Sequence, residues 1–179
     1  MEQWVEKFRV YRSQKLPWLG TFFLRCRISA NVMTIFSFLA GLGTVYFLLQ
    51  NHFYFILFSL LHLILDGIDG VIARASTAST FGKYLDHASD QLIGVLLILK
   101  IAVVTQDYFA YIIAGLIFLG QLFYAFSRFT APAHFPRSII IIILAFQQTT
   151  LAFLAAGVIG VYTLALQLVW VMQKKNLKV

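Results

Sequence analysis

The sequence predicts an all-α integral membrane protein: about six transmembrane helices in a single domain over residues 1–179, preceded by an amphipathic helix on the membrane interface within residues 1–27. Three observations carry this. Of 179 residues, 60% are hydrophobic and only 12% charged, with a mean hydropathy of +0.83, whereas a soluble domain carries about a quarter charged residues. Apolar runs recur at lengths near the roughly 20 residues that a helix needs to cross the hydrocarbon. Lys and Arg gather at alternate ends of those runs, as they do when cytoplasmic loops are positively charged.

The elements follow in order. Trp4, Phe8 and Tyr11 recur at helical spacing, Lys7, Arg9 and Arg12 lie elsewhere on the wheel, and Pro17 breaks the run; the pattern is that of an interfacial helix. It lacks the uninterrupted apolar core and small-residue cleavage site of a signal peptide. The first apolar run covers 28–50. The second covers 53 to about 73 and holds Asp66 and Asp69 in its last two turns. The third runs from 80 to about 104, Asp107 marks the next turn, and the fourth is 108–127. Residues 128–137 form a polar loop with Pro132 and Pro136. The stretch 138–172 is long for one span and short for two, and is read as a hairpin of two short helices turning near 157–160, where Gly157 and Gly160 stand.

In a six-helix arrangement nearly all the cations fall on one side: Lys7, Arg9, Arg12, Lys15, Arg25 and Arg27 before the first run, then Arg74, Lys83, Arg128, Arg137, Lys174, Lys175 and Lys178. Only Lys100 lies near the other. Both termini, the Asp-rich segment 66–90 and the loop 128–137 are therefore expected to face the cytoplasm from the cell membrane. The net charge of +7 needs no nucleic-acid partner, because topology and attraction to anionic lipid account for it. Cys26 is the sole cysteine, so an intrachain disulfide is impossible.

Four carboxylates interrupt this apolar background. Asp66 and Asp69 are spaced i,i+3, and Asp86 and Asp90 i,i+4, so each pair projects from one face of its helix. Two helices joined by a short turn can aim all four at one point. Against four acids the segment supplies only Arg74 and Lys83, a net charge of −2. Charges at membrane depth are costly unless neutralised and mark functional sites by default. Oxygen-only ligands suit hard ions, Mg²⁺ or Mn²⁺, and two such ions about 3.5–4 Å apart would polarise a phosphoryl group. Gly67, Gly70, Gly82 and Ala73 keep the helix backbones open beside the acids, which suits a bulky nucleotide; close helix–helix packing is the other reading of the same glycines. His62, one turn before Asp66, is read as a polar bridge between two helices in preference to a metal ligand. His87 neighbours Asp86 and points away from it, and His52 and His134 read as loop residues.

Asp66-Gly-Ile-Asp69-Gly70-Val-Ile-Ala73-Arg74, followed by Gly82-Lys-Tyr-Leu-Asp86-His-Ala-Ser-Asp90, resembles the signature of the CDP-alcohol phosphotransferases. Every fixed position is present, and the departure is a spacer, 75–81, slightly shorter than the family's. The resemblance implies that Asp66, Asp69 and Asp86 bind two divalent ions, Mg²⁺ or Mn²⁺, that hold the pyrophosphate of a CDP-linked lipid donor. It implies that Asp90 joins the metal site and is the catalytic base on the hydroxyl of a small alcohol acceptor. Asp69, Gly70, Ala73, Arg74 and Gly82 would contact the nucleotide, with Asn31 and Thr34 of the first helix beside it. Helix capping by Ser29 or Asn31 explains that last element equally well. A homodimer is also what the family implies.

The acceptor is less legible. Arg128 and Arg137 could grip a phosphorylated alcohol, because guanidinium forks suit phosphate oxygens, or could anchor the loop. Gln147 opens a polar band with Gln148, Thr149 and Thr150 where family members that accept glycerol phosphate carry lysine; this favours an uncharged or zwitterionic acceptor. The expected activity is phosphatidyl transfer from CDP-diacylglycerol, or an ether-lipid analogue, to an alcohol with release of CMP. The alternatives are head-group transfer from a CDP-amino alcohol to diacylglycerol, prenyl transfer, and, from another class, a carboxylate-lined ion or proton transporter. A transporter needs polar residues continuing to the opposite face, where only Lys100 and Asp107 stand.

Overall fold

A computed structural model describes residues 17–76, 79–134 and 137–176, and all regular structure among them is helical. The helices are α1 (Pro17–Arg25), α2 (Ala30–Phe47), α3 (His52–Ala75), α4 (Thr80–Thr105), α5 (Tyr108–Phe126), α6 (Arg137–Ala145) and α7 (Thr149–Asn176). Five of them, α2 to α5 and α7, are long and apolar enough to cross a membrane. The expected interfacial helix with Trp4, Phe8 and Tyr11 lies outside the described residues.

Local chemistry sets the boundaries. Pro17 opens α1, where its missing N–H is harmless. Arg27 takes a left-handed φ of 59° and Ile28 N donates to Phe23 O at 2.9 Å, closing α1 as C-caps do. Ser29 caps α2 through Val32 N, Asn51 caps α3 through Tyr54 N, Ser79 caps α4 through Gly82 N, and Asp107 caps α5 through Phe109 N.

One expectation needs correction. The stretch 138–172 does not turn at 157–160. The turn falls at 146–148, with Gln147 at a left-handed φ of 59°, and Gly157 and Gly160 lie inside the 28-residue α7. A Cβ on either would sit 3.5 Å from a side-chain carbon, of Ile113 and Ile117 respectively, so both glycines permit close packing of α7 on α5, a common role in membrane helices. Consequently α6 has only nine residues, about 13 Å at 1.5 Å per residue, and the expected hairpin of two short helices is a short helix followed by a long one.

The chain forms two units. The first comprises Met1–Thr44 and Leu57–Ser89. Here α1 rests on the end of α3 at Gly20, where a Cβ would lie 2.8 Å from Ala75 Cβ and 3.0 Å from the Val71 carbonyl oxygen. The buried stripe of α2 in this unit is small and polar, Thr34, Ser37, Ala40, Gly41 and Thr44 beside Met33, while large residues such as Leu39 and Ile64 face outward. Lipid imposes no hydrophobic drive inward, so small residues take the contacts.

The second unit comprises Val45–Ile56 and Asp90–Val179. Phe55, Ile93, Leu97, Ile98 and Ile101 are fully buried. Lys100 Nζ donates to the Val45 and Tyr46 carbonyls at 2.7 and 2.5 Å. The isolated cation thus satisfies the last turn of α2, where the helix dipole favours positive charge. Gln167 Nε2 donates to Gly120 O at 2.8 Å and Pro132 O at 3.1 Å, pinning α7 to the end of α5 and the loop that follows.

Candidate active site

In the first unit the carboxylates of Asp66 and Asp69 on α3 and Asp86 on α4 each offer an oxygen, and these oxygens lie within 4.8 Å of one another. The i,i+3 spacing directs the α3 pair to one side, and the turn into α4 returns Asp86 to the same place. Asp69 is buried, and Asp66 and Asp86 are half-buried. Three anionic oxygens this close repel unless a cation lies among them, and their number, hardness and spacing fit a divalent ion with oxygen ligands.

Beside them is an open cleft of about 190 Å³ whose lining includes Asn31, Thr34, Asp69, Gly70, Ala73, Gly82, Lys83 and Asp86. Six of the seven residues expected at a nucleotide are thus brought to one surface; the seventh, Arg74, is exposed at the end of α3. The alternatives at the start of α2 separate here. Ser29 is the cap, through a 3.4 Å bond from Val32 N, whereas Asn31 reaches across to α4. A Cβ on Gly82 would lie 2.7 Å from Asn31 Oδ1 and 3.1 Å from Ser79 Oγ, so Gly82 is the residue that lets Asn31 and the α4 cap meet. Ser29, Ser76, Ser79 and Lys83 also line the cleft. The serines escaped sequence reasoning because helix-end serines read as caps or turn residues, and Lys83 because it read only as a counter-charge.

One turn before Asp66, His62 is fully buried and bridges to Ser37. Ser37 Oγ donates to the His62 carbonyl at 3.0 Å, and His62 Nδ1 lies 2.8 Å from the Ser37 carbonyl oxygen. Because the carbonyl can only accept, Nδ1 carries the ring proton. The bridge ties α2 to the turn of α3 that leads into Asp66.

Asp90 follows Asp86 by one turn of α4 and, in the second unit, forms an ion pair with Arg137, the first residue of α6. Gly94, a further turn on, lets Arg137 pack closely: a Cβ there would lie 3.5 Å from Arg137 Cβ. Arg137 is only 6% exposed, which is not the position of a loop anchor at a membrane surface. Arg128 is exposed at a left-handed φ of 56° after α5. Gln147 is exposed at the far end of α6 from Arg137, about 13 Å away along the helix, so the structure does not bring these two acceptor candidates together.

The chain thus combines apolar helices, clustered aspartates and a cleft lined by Gly70 and Gly82. The model of the CDP-alcohol phosphatidyltransferase family matches residues 27–175, and the chain belongs to that family. It is also similar to an uncharacterized protein of Aquifex aeolicus (strain VF5), with 36% identity over 87 residues. That match covers 48% of this chain and 44% of the relative, so the chain aligns with less than half of the relative's length.

Proposed function

We propose that the protein transfers the phosphatidyl group of CDP-diacylglycerol, or an ether-lipid analogue, to the hydroxyl of a small polar alcohol and releases CMP, at the cytoplasmic face of the cell membrane. The carrying observation is the Asp66, Asp69 and Asp86 cluster beside a cleft whose walls are kept low by Gly70, Ala73 and Gly82. The donor's cytidine would enter this cleft along Asn31 and Thr34, with Lys83 and Arg74 facing phosphate. The three aspartates, with Asp90, would hold two divalent ions, Mg²⁺ or Mn²⁺. Bound there, such ions would neutralise the pyrophosphate and stabilise the departing CMP.

In the transfer itself, the alcohol oxygen forms a bond to the lipid-bearing phosphorus, the bond from that phosphorus to the CMP oxygen breaks, and Asp90 takes the hydroxyl proton. Arg128, Arg137 and Gln147 are the acceptor candidates, and a homodimer is the proposed assembly. The cations flanking the Asp-bearing helix ends support the cytoplasmic placement. Purified protein offered CDP-diacylglycerol, Mn²⁺ and a panel of serine, inositol, inositol phosphate, glycerol phosphate, ethanolamine and choline should release CMP. Silence with every acceptor, together with cation flux in liposomes, would favour a transporter instead.

A further inference from the structure

We infer that the reciprocal bridge between Ser37 and His62 is a positioning device that joins nucleotide binding to metal binding. It holds Asn31 and Thr34 of α2 in register with Asp66 and Asp69 of α3, so that one CDP group engages both. This rests on the transferase function proposed above and gives a part in it to two residues that stand outside the lining of the cleft. Both are buried, Ser37 at 3% exposure and His62 completely. Each donates a side-chain hydrogen to the other's main-chain carbonyl, Ser37 Oγ at 3.0 Å and His62 Nδ1 at 2.8 Å. Within α2 and α3 the same two carbonyls take the N–H groups of Gly41 and Asp66, four residues on, and a carbonyl oxygen has lone pairs for both. The bridge therefore ends on the peptide group that anchors the Asp66 backbone. On the other helix, Thr34 stands one turn before Ser37 on the same buried stripe and lines the cleft with Asn31.

A single hydrogen bond would let the helices pivot about it, whereas two bonds running in opposite directions restrain rotation and sliding together. The stripe of α2 beyond Ser37 adds little to the register. It consists of Ala40, Gly41 and Thr44, small residues that let helices approach closely, and the Thr44 hydroxyl is turned to its own helix, donating to Ala40 O at 3.2 Å. Asp66, Asp69 and Asp86 belong to α3 and α4, so holding a cation makes no demand on α2. Asn31 and Thr34 belong to α2. A ligand that reaches both groups, a nucleoside diphosphate, is the one that feels their separation. Linking two sites through one ligand tightens binding about a hundredfold or more where the geometry matches, and the gain is lost where it does not.

The test is calorimetric titration of the full-length protein in nanodiscs with Mn²⁺ alone and with CDP in the presence and absence of Mn²⁺. In the wild type Mn²⁺ should tighten CDP binding by about a hundredfold. Ser37→Ala and His62→Leu should each cut that factor by about tenfold and leave the affinity for Mn²⁺ alone unchanged. His62→Asn, whose amide nitrogen can donate where Nδ1 does, should restore most of it. Ser37→Ala, the smallest change, carries the test if His62→Leu fails to fold. Ser59→Ala is the control: its hydroxyl is buried on α3, one turn before His62, without a hydrogen-bond partner among the described residues, and its loss should leave the factor intact. An unchanged factor in Ser37→Ala overturns the positioning role. So does an equal fall in Ser59→Ala, or a loss of affinity for Mn²⁺ alone that matches the loss for CDP, since either is the mark of general loosening. In each case CMP release from CDP-diacylglycerol by the wild type leaves the transferase function standing. If the wild type shows neither a Mn²⁺ effect on CDP binding nor CMP release with any acceptor, the transferase function falls with the positioning role.

Discussion

Replacing Gly82 by alanine tests whether the cleft between α2 and α4 receives the nucleotide. The new Cβ would lie 2.7 Å from Asn31 Oδ1, where ordinary contact begins at 3.4 Å, so the Asn31 amide must retreat by the difference, about 0.7 Å. Ser79 Oγ, at 3.1 Å, must retreat by about 0.3 Å, which lengthens its 2.9 Å capping bond from Gly82 N. Weakening that cap should cost about 1 kcal/mol at most, partly offset by alanine's better helix propensity. The functional cost should be larger, because displacements approaching 1 Å in a positioning group cost up to about a hundredfold.

The expected result is a donor KM raised about tenfold or more, with an apparent melting temperature within a few degrees of wild type, read from CMP release across a CDP-diacylglycerol titration and from thermal unfolding in detergent. Gly115→Ala supplies the control, since a Cβ there meets nothing within 4 Å and should leave donor KM unchanged. If Gly82→Ala behaves like Gly115→Ala, Asn31 and Gly82 do not shape the donor site.

Three further outcomes are expected. Asp66→Asn and Asp69→Asn should weaken both metal and nucleotide binding, while Asp90→Asn should reduce turnover with a smaller effect on CDP affinity; equal CDP affinity in all three variants, by calorimetry, would refute the division of roles. Ser37→Ala and His62→Ala should be coupled by about 1 kcal/mol in a double-mutant cycle of unfolding, the usual scale of an interhelical hydrogen bond in a membrane, and strictly additive losses would count against the α2–α3 bridge. Lys100→Met should lower thermal stability by removing the cap on the last turn of α2 while sparing CMP release, and unchanged stability would show that the cap contributes nothing.

The apolar runs and the four aspartates were legible in the sequence for a physical reason. Both signals are local. Hydrocarbon thickness sets the length of a span, so α2, α3, α4 and α5 fall within a few residues of the expected runs, and helical periodicity alone puts Asp66 with Asp69 on one face. The short link between α3 and α4 then leaves Asp86 little room to be anywhere else. Tertiary structure decided what depends on a partner distant in the chain. Gly157 and Gly160 read as a turn until Ile113 and Ile117 are seen packed against them, and the true turn at Gln147 carries no glycine or proline to announce it.

Asn31 could equally have capped α2 until Gly82 is seen beneath it, and Lys100 looked like a stray outer charge before it met the Val45 and Tyr46 carbonyls. Asp90 shows the division most clearly. Its place one turn after Asp86 is written in the sequence, whereas its partner, Arg137, lies 47 positions away and meets it only because Gly94 leaves room for α6 to start against α4. Local spacing determined which carboxylates come together, and long-range packing decided which cation stands beside Asp90.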